Sequence, residues 1–111
     1  MPEHQLLLCT CPDANSAQAI AGALVEQRLA ACVSILPGLT SVYRWQNETR
    51  RDSEHLLLIK SRADAYPALE QAIRQRHPYE LPEVIAVPIV QGLPAYLAWI
   101  DHELENNDVE T

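Results

Sequence analysis

Apolar side chains recur in two rhythms along this chain, and the changes of rhythm mark its elements. Gln5 to Cys11 is a short run, too apolar to be half exposed and stopped by Pro12, that reads as a first strand. Asp13, Asn15 and Ser16 then offer helix-capping oxygens, and Ile20, Ala21, Leu24, Val25 and Leu29 return at three- and four-residue steps, the spacing of one helix face. Ala31 to Leu36 opens a second strand. Pro37-Gly38 inside it suggests a bulge or bend, not a break, after which Leu39, Ser41, Tyr43 and Trp45 alternate with Thr40, Val42 and Arg44. Gln46 to Asp52 is polar and turn-like. Glu54 to Ser61 follows as a third strand, so the two runs make a long hairpin.

Asp64 and Pro67 mark a second helix start, Tyr66, Leu69 and Ile73 give its buried stripe, and Arg74, Arg76 and His77 place positive groups at its C-terminal end. Pro78 cannot continue a helix and Pro82 stiffens the exit, so His77-Pro78-Tyr79-Glu80-Leu81-Pro82-Glu83 reads as a rigid connector holding its polar groups in a set geometry. Val84 to Val90 is the fourth strand. Gly92 and Pro94 precede a last helix with Tyr96, Leu97, Ile100 and Leu104 on one side, and residues 103–111 form a solvated acidic tail. The order predicts one α+β domain over residues 1–111, a ferredoxin-like split βαβ sandwich (βαββαβ plus a C-terminal helix). Helices cover only one face of such a sheet. Leu6-Leu7-Leu8, Leu56-Leu57-Leu58-Ile59 and Val84-Ile85-Ala86-Val87 are apolar on both, which predicts an oligomer, with Tyr43 and Trp45 near the hairpin tip reaching a neighbour.

Charge removes several function classes. Fifteen acidic against eight basic side chains give a formal charge of -7, without a Lys/Arg block, which speaks against nucleic acid. No run approaches the eighteen or so apolar residues of a membrane span, and nothing resembles a signal peptide. Three cysteines, an odd number, make no disulfide framework, so a cytoplasmic, soluble protein is expected. Cys9 and Cys11 face the same side of their strand about 6.6 Å apart along it, too wide for two thiolates on one metal unless the backbone bends at Pro12. Buried small hydrophobes are the plain reading of both. Lys60 is expected to reach the surface past its apolar stem, and Trp45 and Trp99 to serve core or interface. Glu80 and Glu83 have no apolar pocket to separate their pKa values, and phosphate-loop, Cys-x-x-Cys and His-Glu-x-x-His motifs are missing, so no enzymatic activity is expected.

Five segments in register carry a resemblance. Cys9-Thr10 with Pro12-Asp13, Leu29-Ala30-Ala31-Cys32, Ser41-Val42-Tyr43-Arg44-Trp45, Leu57-Leu58-Ile59-Lys60 and His77-Pro78-Tyr79-Glu80-Leu81-Pro82-Glu83 together resemble the CutA divalent-cation-tolerance family from about Leu6 to Ile100. The resemblance implies a ferredoxin-like protomer, a tight homotrimer similar in architecture to the PII signal proteins, and a link to copper and other divalent cations, with no catalytic reaction attached. It also implies that copper-binding members use the first-strand cysteine and two histidines before the Pro-Tyr motif. Cys9 and His77 match; Arg76 stands at the other histidine position and cannot ligate. Cys11, Glu83 or a neighbouring chain is left to substitute, and thiolate with imidazole suits copper or zinc. On residues alone His77 reads first as a helix-end cation, and it is the resemblance that brings the ligand reading level with it. The alternative function is a PII-like signalling or scaffold trimer that binds a small metabolite or a protein partner in its intersubunit cleft.

Overall fold

The computed structural model describes residues 3–105. Strand β1 covers His4–Cys11 and helix α1 Ala14–Glu26, with the Asp13 carboxylate accepting from the Ser16 amide at its start. Strand β2, Cys32–Trp45, runs unbroken through Pro37-Gly38, where the ladder slips register between Leu36 and Leu39 and Gly38 takes a φ of 81°. Strand β3 is longer than its apolar run, Glu48–Arg62, so the expected turn over 46–52 shrinks to Gln46 and Asn47, both at positive φ. The added residues escape a periodicity reading because both sides of the hairpin arm are mostly exposed and polar. A 3-10 turn at Ala63–Ala65 leads into α2, Tyr66–Arg76. Strand β4 is only Ile85–Pro88, shorter than the expected Val84 to Val90, and α3 is Pro94–Leu104. That helix takes in Glu103 and Leu104, the first two residues assigned to the acidic tail; residues 106–111 lie outside the described residues.

The strands pair antiparallel in the order β2-β3-β1-β4. One face carries Leu7, Cys9, Cys11, Leu57 and Ile59, packed beneath Ala17, Ile20 and Leu24 of α1 and Leu69, Ala72 and Ile73 of α2. The register puts Leu6, Leu8, Leu56, Leu58, Ile85 and Val87 on the opposite face, where neither helix lies and Ile85 is half exposed. Helix α3 is tied to the far end of that face through Asp101. Beyond the sheet the hairpin arm draws the molecule out to 52 × 29 × 22 Å.

The Asp101 tie joins three elements, His4 Nε2 at 2.9 Å and Arg62 Nη1 at 3.1 Å both meeting Oδ1. Burial pushes the Asp101 carboxyl up, but hydrogen bonds from Arg62 and His4 outweigh it and hold the carboxyl below its ordinary range. A lowered folded pKa means that the stabilisation is complete above the unfolded value, about 3.9, and fades as pH falls through the lower folded one. Asp101→Asn is therefore expected to cost about 1 kcal/mol at pH 7. The gap between the variant's and parent's melting temperatures should close below about pH 4; equal melting at pH 7 would remove this tie from the account.

Candidate metal centre

Two distant parts of the chain meet at the end of β1. Cys9 and Cys11 project from the same side of the strand into the helix-covered core, and neither has exposed surface. His77 caps α2: its amide donates to the Ile73 carbonyl at 2.8 Å, and the backbone then turns extended before Pro78. That turn leaves the residue 9% exposed, with its ring close to the two thiols. One donor atom from each of Cys9, Cys11 and His77 lies within 4.8 Å of the others, near enough that a small side-chain rotation would bring all three onto one ion, whose bonds near 2.3 Å hold tetrahedral donors about 3.8 Å apart. The strand-rise argument separating the two thiols is thus corrected: the side chains lean together farther than the backbone spacing suggests.

Hydrogen bonding assigns the His77 tautomer. The Tyr79 amide donates to Nδ1 at 3.0 Å, so Nε2 carries the proton and donates to the Thr10 carbonyl at 2.7 Å. Ligation through Nδ1 would keep the bond to Thr10 and displace only the Tyr79 amide. The interaction with Cys11 pushes the Cys9 thiol far up, with burial and the charges of Glu83 and Glu54 adding to it. Cys9 in turn lowers Cys11, against the opposing effect of burial and with help from Ser16.

Glu83 is exposed and stands outside the cluster, although its charge is felt at Cys9. It lines a neighbouring cleft of about 720 Å³, with Thr10, Tyr43, Trp45, Arg50 and Tyr79 among the other walls. Arg76 turns back to the Ala72 carbonyl of its own helix. Lys60 donates to the Ser34 hydroxyl at 2.7 Å on the face away from α1 and α2, with Cys32 Sγ 3.8 Å off. Trp99 stacks on Tyr96 at 5.5 Å, and both tryptophans are partly exposed.

Two groups had no sequence signal. Glu54 is buried at the cleft floor, accepting from the Ser41 and Tyr79 hydroxyls at 2.6 Å each. Burial, followed by the bond to this carboxylate, pushes the Tyr79 hydroxyl well up. His55 pairs with Cys11 across the ladder, and its Nδ1 is buried without a hydrogen-bond partner among the described residues.

Comparison with known proteins places this geometry. Residues 5–103 match the family model described as CutA1 divalent ion tolerance protein. The divalent-cation tolerance protein CutA of Thermus thermophilus is 50% identical over 97 residues, 87% of this chain and 94% of that protein, and its solved structure superposes with a TM-score of 0.85 over 86% of this chain and 93% of its own. Protein CutA of Mus musculus is 47% identical over 87% of this chain, which spans 55% of that longer relative. The CutA crystal structure from Xylella fastidiosa, 47% identical, reaches a TM-score of 0.91 over 93% of this chain and 99% of that one.

Proposed function

The chain belongs to the CutA1 divalent ion tolerance family, and from that premise we propose that it is a cytoplasmic homotrimer that binds copper or another divalent cation such as zinc in metal tolerance. The observation that carries the reading is the convergence of Cys9 and His77, buried together although 67 positions separate His77 from the neighbouring Thr10. A thiol and an imidazole in one dry recess are a donor set for soft and borderline metals. Glu83 contributes from the cleft rim, as a carboxylate whose charge favours an approaching cation. The family's name describes tolerance to ions, not a catalysed reaction.

The ferredoxin-like protomer is supported by the antiparallel β2-β3-β1-β4 order with α1 and α2 on one face. The trimer is supported by apolar Leu6, Leu8, Leu58, Ile85 and Val87 on the face those helices leave open. Three free cysteines suit a reducing compartment, and no described helix is long and apolar enough to cross a membrane.

Ligation requires a deprotonated thiol and a neutral imidazole, so affinity should fall as pH is lowered. Cys9→Ser and His77→Ala are each expected to weaken copper binding at least tenfold, about 1.4 kcal/mol, in a competition titration under reducing conditions. Parent-like binding by both variants would sink this reading. The cleft walled by Tyr43, Trp45 and Tyr79 favours a second one, a PII-like trimer that takes a small metabolite or a protein partner between subunits. Saturable binding from a metabolite panel, unaffected by Cys9→Ser, would put that reading first.

A further inference from the structure

We propose that the cluster is a four-donor site for a closed-shell soft cation, Zn(II) or Cu(I), formed by the sulfurs of Cys9 and Cys11, a ring nitrogen of His77 and Nδ1 of His55. The proposal rests on the metal-binding reading above and deepens it, naming two further donors and the class of ion they select. Cys11 brings its sulfur within the same 4.8 Å as Cys9 and His77, and like Cys9 it is fully buried. His55 is the direct ladder partner of Cys11. Directly opposed residues in an antiparallel pair share a face with Cβ atoms about 4.5–5.5 Å apart, so His55 stands beside Cys11, outside the convergent trio of Cys9, Cys11 and His77, and the proposal requires its side chain to rotate inward when the ion binds. Its Nδ1 is buried and unpaired among the described residues, a costly state for a ring nitrogen that a metal bond would relieve.

Donor chemistry then selects the ion. Two thiolates and two imidazoles in a tetrahedron match Zn(II), and thiolates equally suit Cu(I), whereas Cu(II) prefers a tetragonal set of nitrogen and oxygen donors. Burial adds a charge criterion, because a dry recess disfavours any net charge. Zn(II) displaces one proton from each thiol to leave a neutral centre with two protons released to solvent, whereas Cu(I) with two thiolates leaves a single negative charge, so burial ranks Zn(II) ahead of Cu(I). Both histidines bind neutral. His77 gives up one of its two present hydrogen bonds, and His55 Nδ1 gives up none.

The test is metal titration of the full chain under reducing conditions, with Zn(II), with Cu(I) in competition with a Cu(I) chelator, and with Co(II) as an optical stand-in for Zn(II). One ion per chain is expected, with about two protons released per Zn(II). The thiolate-to-cobalt absorption should fall by about half in Cys11→Ser. Cys11→Ala, which keeps a small apolar group at the buried position, should behave the same. His55→Ala should weaken Zn(II) binding more than about tenfold while leaving the thiolate absorption in place. Parent-like Zn(II) binding by the Cys11 and His55 variants overturns this proposal and leaves the two-ligand reading standing. So does a parent that takes Cu(II) in tetragonal form and excludes Zn(II) and Cu(I). A parent that binds none of these ions overturns both.

Discussion

Replacing Leu58 with aspartate is expected to yield a folded monomer in place of the trimer proposed above. Leu58 sits in mid-β3 on the face away from α1 and α2, paired with Leu8 on one side and Ser34 on the other, and it is half-buried in the protomer. In the free protomer a carboxylate there still reaches water. In an assembly that covers this face it is buried without a partner, a penalty of several kcal/mol, added to the loss of about 1.5–3 kcal/mol from leucine burial. A combined cost of about 4 kcal/mol weakens association roughly a thousandfold. Light scattering at micromolar protein should then report a mass near the 12.4 kDa protomer, against roughly three times that for the parent. A variant that keeps the parent's mass would mean that another surface is covered.

Glu54→Ala is expected to destabilise the protein by about 3 kcal/mol, because it strands two hydroxyls at once. Glu54 is 5% exposed and takes both the Ser41 and Tyr79 hydroxyls, so it fastens the connector after α2 to the hairpin. Glu83→Ala, on the exposed rim, should change stability by less than about 0.5 kcal/mol although it removes the same charge. Glu54→Gln keeps one acceptor and should fall between them. Denaturant midpoints measured at one protomer concentration decide the matter, since association shifts apparent stability. Equal midpoints for Glu54→Ala and Glu83→Ala would reduce the Glu54 contacts to ornament.

Much of the fold was legible because burial writes itself into periodicity. Ile20, Leu24, Leu69 and Ile73 repeat at helical steps and lie in the core. The β3 residues Glu48 to Asp52 could not be read, since exposed positions leave no alternation to separate them from the turn at Gln46-Asn47. At the candidate site, Cys9 and His77 were marked by resemblance to a family, which preserves positions without explaining them. Cys11 stayed only a possible substitute, because strand rise argued against its sharing a metal with Cys9, a backbone distance that ignores how two side chains on one face converge. Glu54 and His55 owe their roles to partners remote in sequence, Tyr79 for one and Cys11 for the other, and no local pattern reports such pairings.

The two-residue turn at Gln46-Asn47 also sets a timetable. Closing so short a loop costs little chain entropy, whereas bringing His4 beside Arg62 closes one from residue 4 to residue 62. The hairpin can zip from its tip inward while β1 is still a free strand. Cys9 and Cys11 ride on β1 and His77 waits at the end of α2, so the thiols and the imidazole stay apart until β1 docks against β3. On the proposed metal-binding reading, a half-folded chain therefore offers only scattered donors to the surrounding metal pool, and capture of an ion waits until the fold is complete.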